Sequence, residues 1–310
     1  MGAVMTEQDR RTAKVAFIGF GEAASAFLSG WRTAGLTEAV AAFDIKTGSA
    51  DEAVRARKWA DYTAAGVAGA ERMEDALAGA ALVFSLVTAD QAQTAARSAA
   101  AHLAPGALFF DGNSCAPGTK RESAQAVEAA GGRYVDLAVM APVHPKLHKT
   151  PLLVSGPHAA DAIAALSGLE MSAKEAAGAV GTASSIKMIR SVMMKGLEAL
   201  FLECVLAGRR AGVDAVVLDS LDVTYPGFGF KERAAYMQER VMTHGIRRAA
   251  EMREVARTVD ELGLGGGMAR AAVEWQQRVG DLKLDARAIG ADDYRTLADA
   301  ILARLDPSEP

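Results

Sequence analysis

The chain has 310 residues, half of them hydrophobic and 23% charged, the composition of a soluble globular protein of about two domains. Its formal charge is −4, from 34 basic and 38 acidic side chains, so no global positive field exists and no nucleic-acid partner is expected. Two distant cysteines, Cys115 and Cys204, exclude a disulfide scaffold and a Cys-rich zinc module, and histidines number only five; no metal is expected. No apolar run approaches the roughly 18 residues of a membrane span, so no membrane partner is expected. Met1 to Arg11 lacks the apolar region of a secretory signal, and a cytoplasmic location is the expectation. Met1-Gly2 with Thr6 fits the myristoylation pattern formally and is read as a chance match in a disordered lead-in.

In chain order, Lys14 to Gly19 is a short apolar run ending in glycine, as in a buried parallel strand. A helix is predicted from Glu22 to about Ala34, and further strands at Val40 to Asp44, Ala81 to Val87 and Ala107 to Asp111. Alanine-rich helical segments lie between them, at Asp51 to Ala60, Arg72 to Ala78, Asp90 to His102 and Lys120 to Ala130. Shorter strands at Tyr134 to Leu137 and Pro151 to Ser155 frame a loop, Ala141 to Thr150. Strand–helix alternation of this kind predicts a parallel sheet covered on both faces. After Thr182 the pattern changes to a long helix, Ser184 to Ala211, and then to helical runs at Lys231 to Met242, Ile246 to Glu261, Met268 to Val279 and Asp292 to Leu305. The expected fold class is α/β: a Rossmann-type doubly wound parallel sheet over residues 1–182, then a linking helix and an all-helical substrate or oligomerisation domain over 183–310.

Gly19-Phe20-Gly21-Glu22-Ala23-Ala24 is a G-x-G-x-x-A run between the first strand and its helix. Gly19 permits a tight turn, Gly21 lets the backbone approach a pyrophosphate, and Ala24 allows close helix–strand packing. Free backbone N–H groups and the helix dipole favour a diphosphate there. Asp44, closing the second strand, is placed to accept from ribose hydroxyls and would repel a 2′-phosphate, which favours NAD over NADP; Lys46 softens that preference. A second group of residues is Gly181-Thr-Ala-Ser-Ser-Ile-Lys187, with Ser191 and Lys195 following at helical spacing on one face. A lysine in a cleft can serve in proton transfer, and the same pattern also fits a solvated helix lysine.

The glycine fingerprint, the G-x-A-x-x-x-K stretch and the domain layout resemble the β-hydroxyacid dehydrogenase superfamily, and in particular its 6-phosphogluconate dehydrogenase-like NAD-binding branch. Asp111-Gly-Asn-Ser-Cys-Ala-Pro-Gly-Thr, Lys187-Met-Ile-Arg-Ser-Val-Met-Met-Lys-Gly and Arg247-Arg-Ala-Ala-Glu-Met are similar to that branch. The resemblance implies that Lys187 is the general acid/base and that Ser191 replaces an asparagine near the substrate. It places Asn113 and Ser114 at the family's substrate-facing polar positions, and Leu86, Val87 and Thr88 on the loop past the nicotinamide end. The family's Asp-Ala-Pro-Val-Ser-Gly-Gly loop, which binds a carboxylate, becomes Asp136-Leu-Ala138-Val-Met140-Ala141-Pro142. Proline removes an N–H donor, so the anion nest is weaker and a larger or less charged substrate is expected.

His144, Lys146, His148 and Lys149 continue that loop and could meet an anion; a solvated loop is the simpler expectation, with His144 kept as a candidate contact. Lys195 is a further candidate substrate contact. Arg247 or Arg248 could close over an acidic group, although an Arg247–Glu251 surface pair at i,i+4 is the expected role. Met193 and Met194 read as core filler, and the glycines from Gly263 to Gly267 as a helix break. The reading is therefore an NAD(P)-dependent oxidoreductase on a small-molecule alcohol, working as a homodimer. An imine reductase, a decarboxylating dehydrogenase and a non-catalytic NAD-binding regulator are the alternatives. Lys187 counts against the first, the lack of a strong phosphate site against the second, and the retained polar motif positions against the third.

Overall fold

The computed structural model describes residues 15–36, 39–290 and 292–305, so the N-terminal lead-in with its formal lipidation match lies outside the described residues. The chain divides into two compact units, Met1–Lys187 and Met188–Pro310.

The N-terminal unit is built on eight strands: β1 (Val15–Ile18), β2 (Val40–Phe43), β3 (Ala68–Ala70), β4 (Leu82–Ser85), β5 (Leu108–Asp111), β6 (Arg133–Val139), β7 (Leu152–Ser155) and β8 (Ala173–Glu175). They form one sheet in the order β3-β2-β1-β4-β5-β6-β7-β8, whose first six strands follow the doubly wound dinucleotide-binding order. Those six are parallel; β7 pairs antiparallel to β6, and β8 parallel to β7. The helices are α1 (Glu22–Thr33), α2 (Glu52–Ala65), α3 (Met73–Leu77), α4 (Ala92–Ala100), α5 (Pro117–Ala129) and α6 (Ala159–Gly168). Their ends are written locally. Asp51 accepts from the N–H groups of Ala53 and Val54 to start α2, and Gly66 ends it in the left-handed conformation. Pro117 opens α5, where a missing N–H costs nothing.

Strands β1 to β7 are mostly buried runs because helices cover the sheet. One face packs Phe17, Phe27, Trp31, Phe84 and Phe110 into an aromatic core, with Phe84 and Phe110 stacked at 4.6 Å. Two strands and α6 go beyond the sequence expectation. β3 is Ala-Gly-Ala, with no β propensity of its own; a Cβ on Gly69 would meet Trp59 Cζ3 at 2.8 Å, so the aromatic residues of α2 require its smallness. β8 is a partly exposed edge with two charged residues, which carries no apolar signal.

Helix α7 (Thr182–Ala211) runs on into the C-terminal unit, which holds α8 (Asp214–Thr224), α9 (Phe230–Glu261), α10 (Gly267–Gly280), α11 (Ala286–Ile289) and α12 (Tyr294–Leu305). Lys231 to Met242 and Ile246 to Glu261, expected as separate runs, are one helix. Gly245 lies at its middle for a packing reason: a Cβ there would meet Gly280 Cα at 2.8 Å, so α9 and α10 touch backbone to backbone. The glycines after Leu262 do break the helix, with Gly263, Gly265 and Gly266 at positive φ. Met193 and Met194 are not core filler: they are 63% and 46% exposed on α7, and the buried methionines among the described residues are Met171, Met188, Met237, Met242 and Met252. Among the described residues no helix is long and apolar enough to cross a membrane, and no group of three or more His, Cys, Asp or Glu side chains could hold a metal ion.

Candidate active site

The turn after β1 is shaped by its neighbours. Gly19 has φ +82°, and a Cβ on it would meet the Leu86 carbonyl oxygen at 2.7 Å and Val87 Cγ1 at 2.9 Å. Its N–H donates to the Phe43 carbonyl at 2.8 Å. Gly21 differs: among the described residues, its chain neighbours aside, nothing lies within 4 Å of a Cβ built there, so the space beside it, at the start of α1, is open. Glu22 is exposed, Ala23 half-buried and Ala24 fully buried beneath the helix. Phe20 turns its ring into the core, 5.4 Å from Tyr62. Its backbone is held on both sides, the N–H by Asp44 Oδ2 at 2.9 Å and the carbonyl by Lys58 Nζ at 2.7 Å. Phe20 thus fixes the turn and offers no open side chain. Asp44 also accepts from the Lys46 N–H at 3.0 Å, and Lys46 itself is exposed. Each carboxylate oxygen of Asp44 retains a further lone pair for a ribose hydroxyl. An open, glycine-lined helix start beside a fixed carboxylate fits a dinucleotide.

Lys187 and Ser114 meet, although 73 residues separate them: Lys187 Nζ donates to Ser114 Oγ at 2.6 Å. Ser114 lies in the loop after β5, and Lys187 in the second turn of α7. Asn113, beside Ser114, is fully engaged in holding that loop. Its Oδ1 accepts from the Val87 N–H at 2.7 Å, and its Nδ2 donates to Ser85 Oγ at 3.0 Å and Asp111 Oδ1 at 2.7 Å. Asn113 therefore acts on the backbone of Val87, while Thr88 is exposed just beyond. Ser191 is buried on α7, four residues after Lys187.

Sequence reasoning assigned no role to the charges beneath this pair. Asp111 and Asp136 are register partners on β5 and β6, and both are completely buried. The Lys120 ammonium, also fully buried, lies 3.1 Å from Asp111 Oδ1 and 3.6 Å from Asp136 Oδ1. Tyr134 donates its hydroxyl to Asp111 Oδ2 at 2.7 Å. Burial opposes the charge on Lys120, but Asp111 and Asp136 outweigh it, and its pKa stands above the usual lysine range. Burial, reinforced by the same carboxylates, pushes the Tyr134 phenol well above its ordinary value. The visible signal was an acid closing the fifth strand and another within the sixth, with a lysine nearby.

Near the end of β6 Ala138 is buried, and in the loop that follows Met140 and Ala141 are half-buried. The Met140 N–H is already donated to the Pro151 carbonyl at 2.9 Å. With Pro142 lacking an N–H, two donors of an anion nest are gone. The basic residues of the loop disperse rather than converge. His144 and Lys146 are exposed, and Lys149 pairs with Glu170 at 2.9 Å. His148 corrects the expectation of a solvated loop: it is buried against Gly30 of α1, where a Cβ would meet its Cγ at 2.8 Å.

In the C-terminal unit, Lys195 and Arg247 share one carboxylate. The Lys195 ammonium pairs with Glu251 at 2.5 Å, and Arg247 reaches the other oxygen of Glu251 at 2.8 Å, the i,i+4 pair foreseen. Burial draws the Lys195 pKa below the usual lysine range against the pull of Glu251. Arg248 is buried on Glu198, whose carboxylate also faces Gln276 Nε2 at 3.4 Å. Arg248 is thus not a closing arm but part of the helical core.

An open dinucleotide turn on a doubly wound sheet defines the NAD(P)-binding class of protein. The family of the NAD binding domain of 6-phosphogluconate dehydrogenase matches residues 14–181, and the family described as a domain of unknown function (DUF1932) matches residues 209–279. The chain belongs to the first of these, within the β-hydroxyacid dehydrogenase superfamily. A conserved hypothetical protein from Sinorhizobium meliloti 1021 is 37% identical, over 94% of this chain and 96% of its own, with a TM-score of 0.73. Conserved protein MTH1747, described as structurally similar to 3-hydroxyacid dehydrogenases, is 28% identical over 86% of this chain and 96% of its own, with a TM-score of 0.64. Mycobacterium tuberculosis 3-hydroxyisobutyrate dehydrogenase, solved with L-serine, shares the fold at 17% identity, over 93% of this chain and 98% of its own, with a TM-score of 0.66. No curated protein matches the chain.

Proposed function

We propose that the protein is an NAD(P)-dependent dehydrogenase acting on the CH–OH group of a small-molecule alcohol, with Lys187 as general acid/base. The observation that carries this reading is the 2.6 Å contact between Lys187 Nζ and Ser114 Oγ, in the unit that also bears the open dinucleotide turn. When bound, the nicotinamide supplies the hydride acceptor or donor. In oxidation, neutral Lys187 takes the proton of the substrate hydroxyl as the carbonyl forms; in reduction its ammonium returns that proton. Ser114 holds the substrate oxygen beside Nζ, and Asn113 holds Ser114 in place through the Val87 and Asp111 contacts.

The cofactor proposed is NAD in preference to NADP. Asp44 carries its charge at the end of β2 with both oxygens fixed by backbone N–H groups, so a 2′-phosphate would meet a carboxylate that cannot turn away. The substrate proposed is larger or less charged than 3-hydroxyisobutyrate, because the Met140 N–H is spent and Pro142 has none. A homodimer is proposed on the exposed apolar residues of α7, Ile189, Met193 and Leu200, which recur along one side of the helix. Light scattering of the purified chain reads that directly.

The test of the reaction follows NAD and NADP reduction over a panel of 3-hydroxy acids, sugar acids and uncharged secondary alcohols. Lys187→Ala is expected to lower turnover by about 10²–10⁴-fold with NADH binding retained. Normal turnover in that variant would falsify the acid/base assignment.

A further inference from the structure

We infer that Lys120 is a positioning residue for the Lys187–Ser114 pair: its buried ammonium clamps Asp111 and Asp136, the two carboxylates that separately hold the Ser114 loop and the first turn of Lys187's helix. The inference rests on the reading of that pair as the proton-transfer site.

The parallel register sets Asp111 and Asp136 side by side on neighbouring strands and on one face of the sheet. Two buried carboxylates so placed repel each other. Lys120, projecting from α5, lies between them at 3.1 and 3.6 Å and also donates to the Asp111 carbonyl. Each carboxylate then reaches a different half of the site. Asp111 Oδ1 accepts from the Asn113 N–H at 3.1 Å and from Asn113 Nδ2 at 2.7 Å, which fixes the residue before Ser114. Asp136 Oδ2 accepts from the N–H groups of Gly181 at 3.0 Å and Ser184 at 3.1 Å and from the hydroxyls of Ser184 and Ser155. Those are donors left over at the start of α7, one turn before Lys187. The two arms close on each other in the 2.6 Å contact between Nζ and Oγ.

A core filled only for stability would not use three buried charges here. An apolar trio of similar volume is commonly as stable as a buried ion cluster or more so. What an apolar trio cannot do is hold three main-chain N–H groups on two different segments in fixed directions. Without Lys120, one carboxylate takes up a proton, loses acceptor capacity, and releases either the loop or the helix start.

The test needs no substrate. Lys187 is acetylated with limiting acetic anhydride across a pH series, and its labelled peptide is read by mass spectrometry in the wild type, in Lys120→Met and in Lys120→Met/Asp136→Asn. In the double variant only one of the two carboxylates remains, so their mutual repulsion is gone, and the amide oxygen still accepts from Gly181 and Ser184. Lys120→Met is expected to change the Lys187 labelling rate at fixed pH by threefold or more and to displace its pH profile. The double variant is expected to return to within twofold of wild type, with NADH affinity within twofold in all three. A folded Lys120→Met protein whose Lys187 profile matches wild type overturns the inference, because a filler role predicts that result. If the wild type binds no NADH, the dinucleotide reading fails while the labelling comparison still decides the role of Lys120. Should Lys120→Met not fold, wild-type hydrogen exchange decides. The amides of Asn113, Gly181 and Ser184 are expected to share one opening equilibrium, and a spread above tenfold among them overturns the clamp.

Discussion

In the N-terminal unit the buried Asp111 and Asp136 spend their oxygens on main-chain N–H groups as well as on Lys120. In the C-terminal unit the buried Glu198 meets side chains, the Arg248 guanidinium and the Gln276 amide. Both arrangements bury a cation with carboxylate, and they do different work. A carboxylate on backbone N–H groups fixes the course of a loop or the start of a helix. A carboxylate on an arginine ties one helix to another. The same contrast separates the lysines of α7. Lys187 donates to a hydroxyl, whereas Lys195 pairs with a carboxylate.

The largest expected effect breaks the helix-to-helix arrangement without touching the site. Arg248→Ala leaves Glu198 buried with its charge uncompensated and is expected to cost about 3–5 kcal/mol in urea unfolding. Arg248→Met/Glu198→Leu removes both charges at similar volume and is expected to recover most of that loss. NADH affinity should be unchanged in the folded fraction of each. A large affinity loss in Arg248→Ala would tie this pair to the dinucleotide site after all.

A smaller effect separates the two glycines of the turn. Gly19→Ala forces a side chain into the left-handed region against the Leu86 carbonyl and is expected to cost about 1–3 kcal/mol of stability. Gly21→Ala meets nothing among the described residues beyond its chain neighbours, so stability is expected to stay within about 0.5 kcal/mol. Its NADH affinity is expected to fall by about tenfold or more, roughly 1.4 kcal/mol, because the Cβ occupies the path of the diphosphate. Unchanged NADH affinity in Gly21→Ala would mean the diphosphate lies elsewhere.

The central strands were legible as short apolar runs and the dinucleotide turn as a glycine pattern of short spacing, whereas Lys187 and Ser114 were singled out as site residues only by the family resemblance. What the sequence hid depends on contacts distant in the chain. Lys120 sits in a run that reads as an amphipathic helix, where a lysine signals solvent. Only the register of β5 with β6 places two carboxylates in front of it. Gly245 reads as a helix break until Gly280 is placed against it, and β3 is too short and too small to show a period. The Pro- and His-containing loop reads as polar, yet His148 is inside because Gly30 of α1 leaves room for its ring.

That histidine gives the smallest effect, and the one that shows how a buried polar group behaves without either kind of partner. Both ring nitrogens of His148 are buried with no hydrogen-bond partner. Burial, with the charge of Lys149 adding to it, holds the His148 pKa below the usual histidine value, and Glu170 opposes only in part. The ring is therefore neutral in the fold. Below about pH 6.5, the ordinary histidine value, the unfolded chain binds a proton that the folded chain does not. Stability then rises with pH across this window, and it is lost as pH falls from about 6.5 toward the folded pKa. His148→Leu removes the titration and two unsatisfied nitrogens, each of which costs about 1–3 kcal/mol when nothing pairs it. The leucine leaves part of the ring's volume empty, so the net gain expected is up to about 1 kcal/mol, larger at about pH 5 than at about pH 7.5. Urea midpoints of both proteins at the two pH values test this. If the acid-side slope is the same in His148→Leu as in wild type, the protons responsible bind elsewhere.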